Sequence, residues 1–184
     1  MTARDRVHWD AVYRDRADDP YPDPDPLLYQ SAPPLRRAGS ATALDLAAGV
    51  GQNGLWLAGQ GYVVDLVEIS RVALTRAQTE AAQRGLRSVN FFQLDLDGGG
   101  LETEAYDLVC VFRYLNRALM PRIRAAVKPG GRVVYQTFNV RKPDMNPEYL
   151  LGLGELAGFF GDWHVLRSSE PADVSQLVAI KPGR

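Results

Sequence analysis

At 184 residues, with 46% hydrophobic and 23% charged side chains, the chain has the make-up of a globular protein with one sizeable core. A net charge of −1 excludes a broad basic field for a nucleic-acid backbone, and no apolar run approaches the length of a membrane span. The lone cysteine, Cys110, excludes an internal disulfide and reads as a core residue within the apolar run "DLVCVF". A local basic group, Arg117, Arg122, Arg124 and Lys128, reads as a solvated helix face. The opening "MTARDRVHWD" is too charged for a signal peptide, so the expected location is the cytoplasm.

Arg4 to Arg14 reads as a short amphipathic helix, with Trp9 and Tyr13 four apart on one face. "DDPYPDPDPLL" follows, and its four prolines disfavour helix. Tyr21, Leu27 and Leu28 give it something to bury, so it reads as an ordered lid; a disordered linker is the other reading. A short helix over Leu28 to Ala38 is expected next. From Ala41 strands and helices alternate. "TALDLA" is a strand, "QNGLWLAGQ" opens a helix, and "YVVDLVE" is a second strand. "SRVALTRAQTEAAQRG" is a helix with Ser70 as N-cap, Gly85 just past its end, and Leu74, Ala77 and Ala81 as its apolar stripe. "VNFFQLDL" is a third strand, and "DGGGLETEA" is too short for a full crossover helix. "YDLVCVF" has the continuous apolar character of a strand buried on both faces. "NRALMPRIRAAV" reads as a helix kinked at Pro121, "KPGG" as a turn, "RVVYQTF" as a fifth strand, and "NPEYLLGLGELAGFF" as one helix from Pro147. "WHVLRSS" and "SQLVAIK", joined by "EPAD", read as a closing antiparallel hairpin. The pattern predicts an α/β fold around a mostly parallel sheet.

The loop "LDLAAGVGQNGLWLA" holds Gly49, Gly51 and Gly54 in G-x-G-x-x-G spacing. With Glu68 ending the second strand, this meets two requirements of a dinucleotide site. Four features favour a different nucleoside. Asp45, inside the first strand, suits a ligand carrying a cationic amine rather than a pyrophosphate. Read one frame earlier, Asp45, Ala47, Gly49 and Gly51 give D-x-A-x-G-x-G, which leaves Gly54 as a helix-packing glycine. Asp95 is placed to accept from an adenine amine, and Leu96 to pack on its ring. "KPGG" leads into the fifth strand, and the chain ends in a hairpin.

In order and spacing, Asp45 to Gly51, Glu68, Asp95-Leu96, "YDLVCVF" and "VKPGG" resemble the class I S-adenosylmethionine-dependent methyltransferases, over about residues 41 to 181. "HWDAVY", "VFRYLNR", "QTFN" and "NPEYLLGLGEL" resemble the small bacterial tellurite-resistance and thiopurine-type group. The resemblance implies a Rossmann-like, doubly wound, seven-stranded sheet. It also implies a cap of residues 1–40 before a methyltransferase domain of residues 41–184, with S-adenosyl-L-methionine as cofactor. Ala47 stands where the pattern commonly has glycine, and Glu68 where aspartate is commoner.

The roles that the resemblance implies fall as follows. Asp45, Ala47, Gly49, Gly51 and Asn53 cradle the methionine part. Glu68 takes the ribose hydroxyls, and Ile69, Asp95 and Leu96 frame the adenine. Phe112, Arg113 and Tyr114 lie where the methyl and its acceptor meet. Arg113 anchors an anionic substrate or the cofactor carboxylate, or serves only a structural salt bridge. Trp9 and Tyr13 cap the site, or form a satellite core. Of the two histidines, His8 is a candidate base and His164 reads as structural. This scarcity favours a soft acceptor such as a thiol or chalcogen anion on a small molecule. No metal, nucleic-acid or membrane partner is expected. An NAD-dependent oxidoreductase and a non-catalytic S-adenosylmethionine-binding protein remain the alternatives.

Overall fold

The computed structural model describes residues 3–35, 37–98 and 100–183. In chain order the elements are α1 Ala3–Asp15, α2 Pro26–Ser31, β1 Thr42–Leu46, α3 Gln52–Gly59, β2 Val63–Glu68, α4 Arg71–Gln83, β3 Val89–Gln93, β4 Tyr106–Phe112, α5 Met120–Ala126, β5 Val127–Phe138, α6 Glu155–Gly158, β6 His164–Ser169 and β7 Val174–Ile180. Seven strands make up a mixed, mostly parallel α/β architecture with an antiparallel pair at its C-terminal end. The chain packs as two compact units, Met1–Asp25 with Pro33–Gly100, and Pro26–Ala32 with Leu101–Arg184.

In the first unit β3-β2-β1 are neighbours, all parallel. Leu44, Leu46, Val64 and Leu66 are fully buried, as strands covered on both faces must be. α4 lays Leu74, Ala77 and Ala81 against Leu55 and Leu66, and Tyr21 of the proline-rich segment packs on the same cluster. Ser70 caps α4 by accepting from the Ala73 amide at 3.2 Å, and Gly85, at φ +67°, ends it.

α1 packs on α4 through a specific latch. The Asp10 carboxylate accepts from the Ser70 hydroxyl at 2.7 Å and from the Val72 amide at 3.2 Å. Burial pushes the Asp10 carboxyl up, but these bonds and the Arg14 charge outweigh it and hold it below the usual aspartate value. Further along, Arg76 of α4 donates to the carbonyls of Arg16, at 2.8 Å, and Asp19. Ser70→Ala removes both the cap and the latch donor. It is expected to cost about 1–2 kcal/mol, as lost N-caps do, and thermal unfolding should show a midpoint lower by about 2–8 °C.

In the second unit the order is β4-β5-β7-β6, with β4 parallel to β5 and the last two pairings antiparallel. Cys110 is fully buried in β4. Four local expectations need correction. α2 stops at Ser31 rather than Ala38, because Pro33 and Pro34 follow. Pro121 begins α5 instead of kinking a helix: its missing N–H falls where the first turn has no intrahelical partner to offer. "KPGG" is not a free turn but a bulge within β5. From the Tyr106–Val127 pair to the Leu108–Arg132 pair, β4 advances two residues and β5 five. "NPEYLLGLGELAGFF" is not one helix. Leu151 donates to the Phe138 carbonyl and accepts from the Val140 amide, which forces extended backbone between a 3₁₀ turn at Pro147–Tyr149 and the short α6.

Nor is the basic group a solvated face. Arg117 pairs with Glu155 at 2.5 Å and donates to the Glu148 and Leu150 carbonyls. Arg124 makes a two-pronged contact with Asp162 at 2.6 and 2.7 Å, and Lys128 pairs with Asp107 at 2.8 Å. The two arginines pin loops, and Lys128 ties β5 to β4. No helix among the described residues is long and apolar enough to cross a membrane.

Candidate functional site: a glycine loop between two buried acids

The loop from Ala47 to Gly51 leaves β1 and turns into α3 through three left-handed residues, Ala47 at φ +54°, Gly49 at +58° and Gly51 at +82°. For Ala47 that conformation costs about 1–2 kcal/mol. The glycines also have no room for a side chain. A Cβ on Gly51 would lie 2.5 Å from Leu66 Cδ1, and one on Gly49 would lie 2.6 Å from the Tyr13 hydroxyl. The turn is closed by Gly51 N donating to the Ala48 carbonyl and Ala48 N donating to the Val67 carbonyl.

Asp45 and Glu68 flank this loop, 1% and 5% exposed. Asp45 Oδ2 accepts from the Gly54 amide at 2.7 Å, in the first turn of α3. Gly54 is thus a helix-packing glycine that also supplies a donor to Asp45. A Cβ there would stand 3.0 Å from Asp45 Oδ2 and 3.1 Å from Asp45 Cβ, so glycine lets the helix close on the carboxylate. Glu68 binds three amides: Gly49 at 2.8 Å through Oε2, and Ile69 and Ser70 at 2.9 Å through Oε1. Its extra methylene carries Oε2 across to the loop. Burial pushes the Glu68 carboxyl above the ordinary glutamate range, although the three amides pull the other way.

Beyond β2 and β3 the backbone holds the other expected residues. Leu94 N donates to the Glu68 carbonyl, and Gln93 Nε2 to the Ile69 carbonyl at 3.1 Å. Asp95 is half-buried and accepts from the Asp97 amide at 3.0 Å; Leu96 is fully buried and Ile69 nearly so. Asn53 is buried too, with its side-chain oxygen accepting from the Asp25 amide at 2.8 Å. On α1, the Trp9 and Tyr13 rings lie 6.1 Å apart, and exposed His8 meets Trp9 edge-on at 5.3 Å. Asp45, Ala47, Gly49, Gly51, Asn53, Glu68, Ile69, Asp95, Leu96, Trp9, Tyr13 and His8 all belong to the first unit.

Phe112, Arg113 and Tyr114 belong to the second unit. Phe112 is buried and Arg113 exposed. Arg113 sits at φ +56°, rare for a residue with a side chain, and its amide is fixed on the Gln136 carbonyl at 2.8 Å. The Tyr114 carbonyl accepts from the buried Tyr135 hydroxyl at 2.9 Å. Asp10, Tyr21 and Ser70 were not expected from sequence to touch this region. Their signals in the sequence are an acid on a short helix, an aromatic inside a proline run, and a serine that reads only as a helix cap.

A family model described as a methyltransferase domain matches residues 43–131, from β1 into the β5 bulge. Over that stretch, just under half of its length, the chain is similar to a methyltransferase domain. Solved structures share its fold. TehB from Haemophilus influenzae superposes with a TM-score of 0.69 at 15% identity, covering 77% of this chain and 58% of that one. A SAM-dependent methyltransferase from Aquifex aeolicus gives 0.69 at 18%, covering 93% and 97%. A SAM-dependent methyltransferase from Mesorhizobium loti gives 0.70 at 15%, covering 85% and 96%. At these identities the likeness is one of fold, and the chain spans just over half the length of TehB. No curated protein matches the sequence closely enough to count as a relative. For a methyltransferase domain of this fold, S-adenosylmethionine is the expected cofactor.

Proposed function

We propose that the chain transfers a methyl group from S-adenosylmethionine to a small molecule. The observation that carries this reading is the arrangement around the loop: three left-handed residues closed on themselves, with one buried carboxylate on each side, both oriented by backbone amides. The residues fit the cofactor by the chemistry of their donors and acceptors. Asp45 supplies negative charge for an amine, Glu68 accepts from vicinal hydroxyls, and Asp95 accepts from an exocyclic amine. The glycine-lined backbone permits close approach.

When bound, the cofactor supplies a sulfonium-activated methyl group, whose C–S bond breaks as the acceptor's bond to carbon forms, leaving a neutral thioether. The chain's own residues bind, orient and exclude water, and such positioning is worth up to roughly 7–11 kcal/mol. The aromatic faces of Trp9 and Tyr13 suit a sulfonium. Phe112, Arg113 and Tyr114 are proposed for the acceptor, with Arg113 offering its cation to an anionic group. His8 is the only histidine proposed as a base. With so few bases, an acceptor that is already anionic or soft, a thiolate or chalcogen anion, fits best.

Calorimetric titration with S-adenosylhomocysteine tests the reading. Saturable binding is expected, and no heat at millimolar ligand would sink it. Thermal protection by NADH but not by S-adenosylhomocysteine would instead favour an oxidoreductase. Cofactor binding without transfer to any thiol, selenol or amine acceptor would favour a non-catalytic binder.

A further inference from the structure

The segment between α1 and α2 is tied to the cofactor loop in register. The Tyr21 hydroxyl donates to the Val50 carbonyl, and the Asp25 amide donates to Asn53 at 2.8 Å. We propose that Tyr21 is a positioning residue for the cofactor, holding the Val50–Gly51 peptide so that the loop keeps the shape that seats the ligand's amino-acid part. This rests on the proposed function.

The Val50–Gly51 peptide lies between two left-handed residues, Gly49 and Gly51, in the most unusual backbone of the unit. Glycines that reach such conformations readily also leave them readily, since little holds them there intrinsically. The Gly51–Ala48 bond closes the turn from within. Tyr21 fixes it from outside, through the Val50 carbonyl.

That anchor is firm. The Tyr21 ring packs on the cluster of Leu55, Leu66, Leu74 and Ala77. The guanidinium carbons of Arg76 and Arg84 lie 5.7 and 5.0 Å from its centroid. Burial pushes the phenol's pKa up, so it keeps its proton and stays a donor across the physiological range. Arg76 also holds the Arg16 and Asp19 carbonyls, and thereby fixes the chain just before the tyrosine. The proline-rich segment thus acts as a strap, and its prolines limit how far it can relax.

Tyr21→Phe keeps the ring and its packing and removes only the hydroxyl. Two probes are titrated calorimetrically into wild type and variant: S-adenosylhomocysteine, which has the amino-acid part, and methylthioadenosine, which lacks it. Amide hydrogen exchange is followed in parallel. The variant is expected to bind S-adenosylhomocysteine about three- to tenfold more weakly, as loss of one neutral hydrogen bond allows. Methylthioadenosine should be unaffected. Exchange should quicken over residues 48–53, while amides of β1 and β2 keep their protection and report a folded protein. Unchanged S-adenosylhomocysteine affinity, or an equal loss for both probes, overturns the positioning role. Failure of the wild type to bind either probe overturns the proposed function itself, and this role with it.

Discussion

Glu68→Ala is expected to weaken S-adenosylhomocysteine at least tenfold and also to destabilise the protein. The two losses have separable causes. The carboxylate satisfies three buried amides, Gly49, Ile69 and Ser70. Leaving such donors unmet costs about 1–3 kcal/mol each where water cannot reach. Partial relaxation would leave a midpoint lower by about 5–10 °C. On the proposed function, the binding loss would come from the ribose hydroxyls, left without this acceptor once the acid is gone. Protonation gives an independent check. Burial raises the Glu68 pKa in the free protein, and hydroxyl donors favour the charged form, so ligand lowers it again. Affinity should therefore be flat near neutrality and fall as pH drops through the raised free-state value, above the ordinary glutamate range. Glu68→Gln should bind weakly and lose that pH dependence. Wild-type affinity in Glu68→Ala would refute the ribose assignment.

The acids around the loop share a feature that sequence could not show. Asp45 is held by Gly54, Glu68 by Gly49, Ile69 and Ser70, Asp95 by Asp97, and Asp10 by Val72. Each carboxylate stands where a strand or helix end leaves amides without a partner, so the fold orients it before any ligand arrives. Such orientation is what a binding constellation needs from its supports.

Elements governed by local rules were legible in the sequence. β1 and β2 follow from their apolar runs, and α4 from its stripe, its serine cap and its terminal glycine. The loop was legible because left-handed turns need glycine and the acid-glycine spacing is distinctive. What failed depended on distant partners. Nothing local shows that Leu151 pairs with Phe138 and so breaks a helix, or that Glu155 and Asp162 claim the arginines of the basic group. Asp10 reaches Ser70 across sixty positions. A polar residue on a short helix carries no sign of such a partner. The Gly54–Asp45 bond is hidden from the sequence for the same reason: the two are close only once α3 folds back on β1.

Gly51→Ala is expected to give the largest stability loss in the loop, and Gly49→Ala a smaller one with a loss of binding. At Gly51 two penalties add. A left-handed φ of +82° costs an L-residue about 1–2 kcal/mol. The new Cβ would lie 2.5 Å from Leu66 Cδ1 and 3.2 Å from Ala77 Cβ, and both belong to the packed cluster under α4, with no exposed surface to yield into. Overpacking of that kind costs about 1–3 kcal/mol. Together they should lower the thermal midpoint by about 5–15 °C. At Gly49 the backbone cost is similar, but the Cβ meets only the Tyr13 hydroxyl, the far end of a side chain on α1. That end can swing away, taking the cap off the loop. Gly49→Ala should therefore lower the midpoint only by the backbone share, about 2–8 °C, yet bind S-adenosylhomocysteine poorly. Adding Tyr13→Phe, which removes the clashing oxygen, should restore part of that affinity. A Gly51→Ala protein that melts with the wild type would show that Leu66 and α4 yield where the packing says they cannot.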